Sequence, residues 1–113
     1  MVKNVLEKGD IIYVDCAPQA GHEQNGRRPA LVVSNCIFNK HERNMAFVCP
    51  ITSTNRNSPF HVKFPEGKCK TTGYVMADQI KSLDINARNA QLYDVAPDEV
   101  VDEVLEIIRD ILE

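Results

Sequence analysis

The chain has 113 residues, 43% hydrophobic and 26% charged. That suits one globular domain, 1–113, and is too apolar for a disordered chain. No apolar run approaches the ~18 residues of a membrane span, and the first eight residues carry no signal-peptide pattern, so the expected location is the cytoplasm. The net charge of −3 argues against a nucleic-acid binder only as an average. From Pro97 to Glu113 there are seven acids and one base; removing them from the totals of 16 and 13 leaves 9 acids and 12 bases in residues 1–96. The body is mildly basic and the tail strongly acidic, and surface arguments must separate the two.

In chain order, Gly9-Asp10 opens a strand over Ile11–Cys16, rich in β-branched and aromatic residues. Ala17 to Arg28 carries two Gly, an Asn-Gly pair and a Pro, and reads as a loop. It is long for a hairpin connection, and long loops are often functional. Ala30–Asn35 is an unbroken apolar strand of the kind buried on both faces. Asn39–Asn44 is a polar connection, and Met45–Thr52 a third strand in which Pro50 implies a bulge or an edge. Pro59–Phe64 alternates with period two, Gly73–Ala77 is a fifth short strand, and Asp78–Asp84 either continues it or turns. A helical turn is expected near Asp84–Arg88 and a last strand over Ala90–Val95. Pro97 suits the first turn of a helix, and Asp98 and Glu99 complement its dipole. Val101, Val104, Leu105, Ile108, Ile111 and Leu112 then form one apolar face. The expected fold is mainly β with a C-terminal helix: a small β-barrel with a helix across it.

Four cysteines (Cys16, Cys36, Cys49, Cys69) show no CxxC pair; the first three lie in or beside apolar runs and are expected to be small buried hydrophobes. His22, His41 and His61 sit in or near polar segments and read as surface histidines. No P-loop, HExxH or nucleophile elbow is present. Arg28 lies at the rim of a rigid strand, where a guanidinium fork matches two phosphate oxygens. Thr52, Ser53 and Thr54 place hydroxyls at a strand end, where they either donate to phosphate or cap a turn. Glu23 is a candidate general base on a loop. These residues alone support a β-rich domain with an anion-binding rim.

Gly9-Asp10-Ile11-Ile12-Tyr13-Val14-Asp15, Gly21-His22-Glu23-Gln24-Asn25-Gly26-Arg27-Arg28-Pro29, Pro50-Ile51-Thr52-Ser53, Ser58-Pro59-Phe60-His61-Val62 and Asp78-Gln79-Ile80-Lys81-Ser82-Leu83 together resemble the MazF/PemK toxins of bacterial toxin–antitoxin modules. The resemblance runs from about Gly9 to the end of the chain. It implies a small SH3-like or CcdB-like barrel of five to seven strands, a homodimer, and a sequence-specific endoribonuclease that cuts single-stranded mRNA without a metal or other cofactor. It also implies neutralisation by a cognate MazE-like antitoxin. By position, it makes Arg28 and Thr52 catalytic and matches Glu23 and Gln24 to the acidic and amide residues of the first loop. Gln79 and Lys81 fall in a segment that lines the RNA groove; Arg27, Ser53 and Arg56 are further candidate RNA contacts. The chemistry such a site performs is attack of the RNA 2′-OH on the adjacent phosphorus, leaving a 2′,3′-cyclic phosphate and a 5′-OH. Rival readings are a CcdB-type gyrase poison without nuclease activity and an inactive peptide-binding barrel.

Overall fold

In a computed structural model, residues 5–15, 27–42 and 44–113 are described. The chain is mainly β with a C-terminal helix, as expected. In order, the elements are β1 (Asp10–Asp15), β2 (Arg27–Val32), α1 (Cys36–His41), β3 (Met45–Thr52), β4 (His61–Lys63), β5 (Tyr74–Met76), a 3-10 turn (Ala77–Gln79), β6 (Lys81–Asp84), β7 (Gln91–Val95) and α2 (Asp98–Leu112). The seven strands run β4-β5-β3-β2-β1-β7, with β6 pairing β3 off this path; all the pairs are antiparallel. The barrel is open, because the path ends at β4 on one side and β7 on the other.

Strand β3 is the trunk. Its Met45–Val48 stretch pairs β6, and Ile51–Thr52 pairs β5. Pro50 sits at the step between these partners and faces Ala30 of β2. A residue without an N–H fits where the ladder changes partner, which is why Pro50 is tolerated in an interior strand.

Alternation along the strands makes two cores. Ile11, Leu31, Cys49, Ile51, Val62 and Val75 pack with Val100, Val101 and Val104 of α2. Ile12, Val14, Ala30, Val32, Ala46, Val48 and Leu83 pack on the opposite face. The Ala30–Val33 run is therefore buried on both faces, as its composition predicts. Full burial of each α2 valine contributes roughly 1.5–3 kcal/mol over leaving it in water. Pro97 is the N-cap of α2 rather than a first-turn residue, with Asp98 and Glu99 in the first turn and Arg109 in the last. The apolar face outlasts the sheet, since Ile111 is 46% and Leu112 77% exposed.

Several expectations change. Strand β2 begins at Arg27, so both arginines are strand residues and not the end of a loop. Helix α1 runs into the expected polar connection Asn39–Asn44, and the side chain of its N-cap Asn35 accepts the Phe38 N–H at 2.9 Å. Asn39 is buried there, donating to the Leu6 and Ser34 carbonyls. Strand β4 is three residues long, because Pro59 and Phe60 form a turn ahead of it. Cys49 is fully buried and its thiol is pushed up to about 12 by that burial and by nearby Asp78. Cys36 opens α1 and is exposed, against expectation; Cys36, Cys49 and Cys69 are all free thiols, and Cys16 lies outside the described residues.

Candidate RNA-binding groove

Arg28 shares a face of β2 with Ala30 and Val32, which belong to the second core. On β3, Thr52 shares a face with Val48 and Pro50. Ala30 and Pro50 are directly paired. Two residues outward from that pair, the core gives way to Arg28 and Thr52 at the same level of neighbouring strands. Both line one depression of about 490 Å³, together with Ser53, Thr54, Arg56 and Thr72. Arg28 also lines an adjoining depression of about 450 Å³, with Gln79, Lys81, Ser82, Arg88 and Asp15. The arginine thus joins the two halves of one groove.

The groove is strongly basic. Among the described residues, Arg27, Arg28, Arg56, Lys81 and Arg88 line it, against one acid, Asp15. None of the α2 acids lines either depression. Gln79 ends the 3-10 turn and Lys81 opens β6, so a single short turn delivers both.

The Thr52 hydroxyl oxygen accepts the Thr54 N–H at 3.1 Å. It therefore caps a turn, and its own O–H remains available to donate to a bound phosphate. Gly73 backs this corner. Its φ is +103°, and a Cβ there would overlap the Thr52 carbonyl oxygen. Only glycine lets the chain before β5 approach so closely.

Arg27 behaves differently from its neighbour. Its guanidinium binds Asp15 at 2.7 Å, the Tyr13 carbonyl at 3.0 Å, the Asn89 carbonyl at 2.5 Å and the Gln91 side chain at 3.3 Å. Hydrogen bonds from Asn89 and Arg27 hold the Asp15 carboxyl below the usual carboxylate range.

The structure brings together Arg27, Arg28, Thr52, Ser53, Arg56, Gln79 and Lys81. Glu23 and Gln24 lie outside the described residues, as does His22. Arg88, Thr72 and Asp15 are groove residues that the site reading of the sequence missed. The excess of bases in residues 1–96 hinted at Arg88, but nothing local marked it. His41 is exposed as expected, while the His61 side chain is 94% buried, with Nε2 3.5 Å from Asp78. An alternating strand pattern places His61 opposite to buried Val62 but says nothing of the 3-10 turn that covers it.

A family model for the PemK-like, MazF-like toxin of type II toxin–antitoxin systems matches residues 7–112. Endoribonuclease PemK of Escherichia coli is 36% identical, covering 97% of this chain and 84% of its own. Endoribonuclease toxin ChpB of Escherichia coli strain K12 is 37% identical, covering 98% and 97%. Among solved structures, a MazE–MazF complex from Deinococcus radiodurans superposes with a TM-score of 0.87 at 37% identity, covering 97% of each chain. The family model spans nearly the whole chain and relatives above 30% identity cover it, so the chain belongs to the PemK-like, MazF-like toxin family of type II toxin–antitoxin systems.

Proposed function

We propose that this chain is a sequence-specific, metal-independent endoribonuclease toxin that cleaves single-stranded RNA, acts as a homodimer in the cytoplasm, and is neutralised by a cognate antitoxin. The relatives named endoribonuclease and the MazE-bound structural neighbour support this reading. No helix among the described residues is long and apolar enough to cross a membrane. The observation that carries the chemistry is the placement of Arg28 and Thr52 in one basic depression.

The RNA 2′-oxygen attacks the neighbouring phosphorus as its proton passes to Glu23 or to water, and the P–O5′ bond breaks. The products are a 2′,3′-cyclic phosphate and a 5′-OH, the 5′-oxygen having gained a proton. Charge builds on the non-bridging oxygens in the transition state. Arg28 presents two donors to them and serves as the proton donor to the leaving 5′-oxygen. Thr52 donates its O–H to orient the phosphate. Glu23 serves as base or as an anchor for the first loop. Gln24, Ser53, Arg56, Gln79 and Lys81 contact the RNA along the groove, and unstacked bases are where its sequence is read.

The test is incubation of purified protein with mixed single-stranded RNA in EDTA, followed by end analysis. Fragments ending in 2′,3′-cyclic phosphate at a recurrent short sequence are the expected result. Intact RNA accompanied by a blocked gyrase overturns the nuclease in favour of the gyrase-poison reading.

A further inference from the structure

Arg27 and Arg28 are adjacent on β2 and so project to opposite faces of it. Arg28 is exposed in the groove. Arg27 also lines the groove, but its guanidinium joins three segments: the end of β1 through Asp15 and the Tyr13 carbonyl, its own strand, and the turn before β7 through the Asn89 carbonyl. Asn89 closes the triangle, its side-chain N–H donating to the second Asp15 oxygen at 2.7 Å. It does so from a left-handed backbone, φ +54°. The Asp15 N–H donates to the Arg88 carbonyl at 2.9 Å, so the residue that Arg27 holds also holds the backbone of Arg88. Among the described residues, Asp15 is the one carboxylate lining a groove whose other charges are basic.

We propose that Arg27 is a positioning residue of the RNA groove and not an RNA contact: it neutralises Asp15 and ties the Asn89 turn to β1, which sets Arg88 beside Arg28. This inference rests on the nuclease reading and reassigns one residue within it. Both terminal nitrogens of Arg27 are already engaged by four protein acceptors, whereas Arg28 keeps its fork for phosphate. Without Arg27 the Asp15 charge would face an incoming polyanion.

The test compares Arg27→Gln, Asp15→Asn and the double variant in full-length protein. Binding is read with a short single-stranded RNA across a salt series. Arg27→Gln should weaken binding by about fivefold, the scale of one exposed charge pair. Adding Asp15→Asn should restore it to within about twofold of the wild type, and Asp15→Asn alone should bind at least as tightly as the wild type. A double variant as weak as Arg27→Gln, with the salt slope reduced by about 0.7, would mean that Arg27 touches a phosphate and would overturn the proposal. Hydrogen exchange at the Asp15 amide gives a readout that needs no RNA: it should quicken in Arg27→Gln, and unchanged exchange overturns the brace. A wild-type protein that neither binds nor cuts RNA fails the nuclease reading itself, a result separate from any difference among the variants.

Discussion

On one face of the sheet Ile11, Leu31, Cys49 and Val75 disappear beneath α2, whose outer side carries most of the acids of the C-terminal segment. On the other face Ile12, Ala30, Val32 and Val48 form a second core that stops short of the edge, and the next positions outward are Arg28 and Thr52. The same strands supply both sets, because side chains alternate across a sheet. The comparison explains how a protein of net charge −3 holds a basic groove. The helix collects the acids where they do no harm to an anion site, and the groove inherits the bases of the remaining chain.

The division breaks most visibly at Arg28. Arg28→Ala should lower single-turnover RNA cleavage by about 100-fold, the scale of ~3 kcal/mol of lost transition-state stabilisation. Its melting temperature should stay where it was, since Arg28 is exposed. Val104→Ala is the mirror experiment. Val104 is fully buried on the inner side of α2, so unfolding in urea should show a loss of about 2 kcal/mol. Cleavage per folded molecule should be unchanged. A Val104→Ala protein with slowed chemistry would mean that the two faces are not independent.

A smaller effect sharpens the helix side. Burial pushes the Asp94 carboxyl up, but hydrogen bonds from the Thr71 hydroxyl and from backbone N–H groups, Thr71's among them, outweigh it and hold the carboxyl low. A carboxylate with a depressed folded pKa contributes stability above its unfolded pKa of about 4, and that stability is lost as pH falls through the folded value. Urea midpoints measured from pH 7 downward should therefore fall in acid, and Thr71→Val should flatten the fall. The smallest effect is expected from Glu103→Gln with Glu106→Gln. These exposed acids lie off the groove, and at 0.15 M salt, where screening acts over ~8 Å, RNA affinity should change by less than about twofold. Wild-type affinity itself should fall steeply with salt despite the acidic total.

Strand β3 was readable to the residue, because its ends are marked by Met45 after a polar stretch and by the hydroxyl run from Thr52. The α2 face was readable from its spacing, apart from Val100 and Ile107, which widen the buried stripe. Arg28 precedes one apolar run and Thr52 ends another, which made them rim candidates, and only the family resemblance made them catalytic. What escaped the sequence depends on neighbours distant in the chain. Helix α1 is six residues, too short for a periodic signal, and its cap Asn35 was read as the end of the preceding strand. His61 is covered by a turn seventeen positions later, and Asp78 has no local mark that would pair them. Arg27 and Arg28 are chemically identical in sequence. Only the pairing of Asp15 with Arg27 across β1 and β2, and the arrival of Asn89 from 62 residues on, separates a brace from a phosphate ligand.

Gly73 has a bearing on how this protein tolerates change. It contributes no atom to the groove's chemistry, yet any side chain there collides with the backbone of Thr52. In a saturation library scored for escape from toxicity, position 73 should therefore rank beside position 28 among the intolerant sites. The two columns would differ in kind: survivors at 28 would be well-folded and inert, whereas survivors at 73 would be depleted of folded protein. Inactivating lesions in such a gene would thus fall into two separable classes, one of which leaves an intact body for an antitoxin to bind.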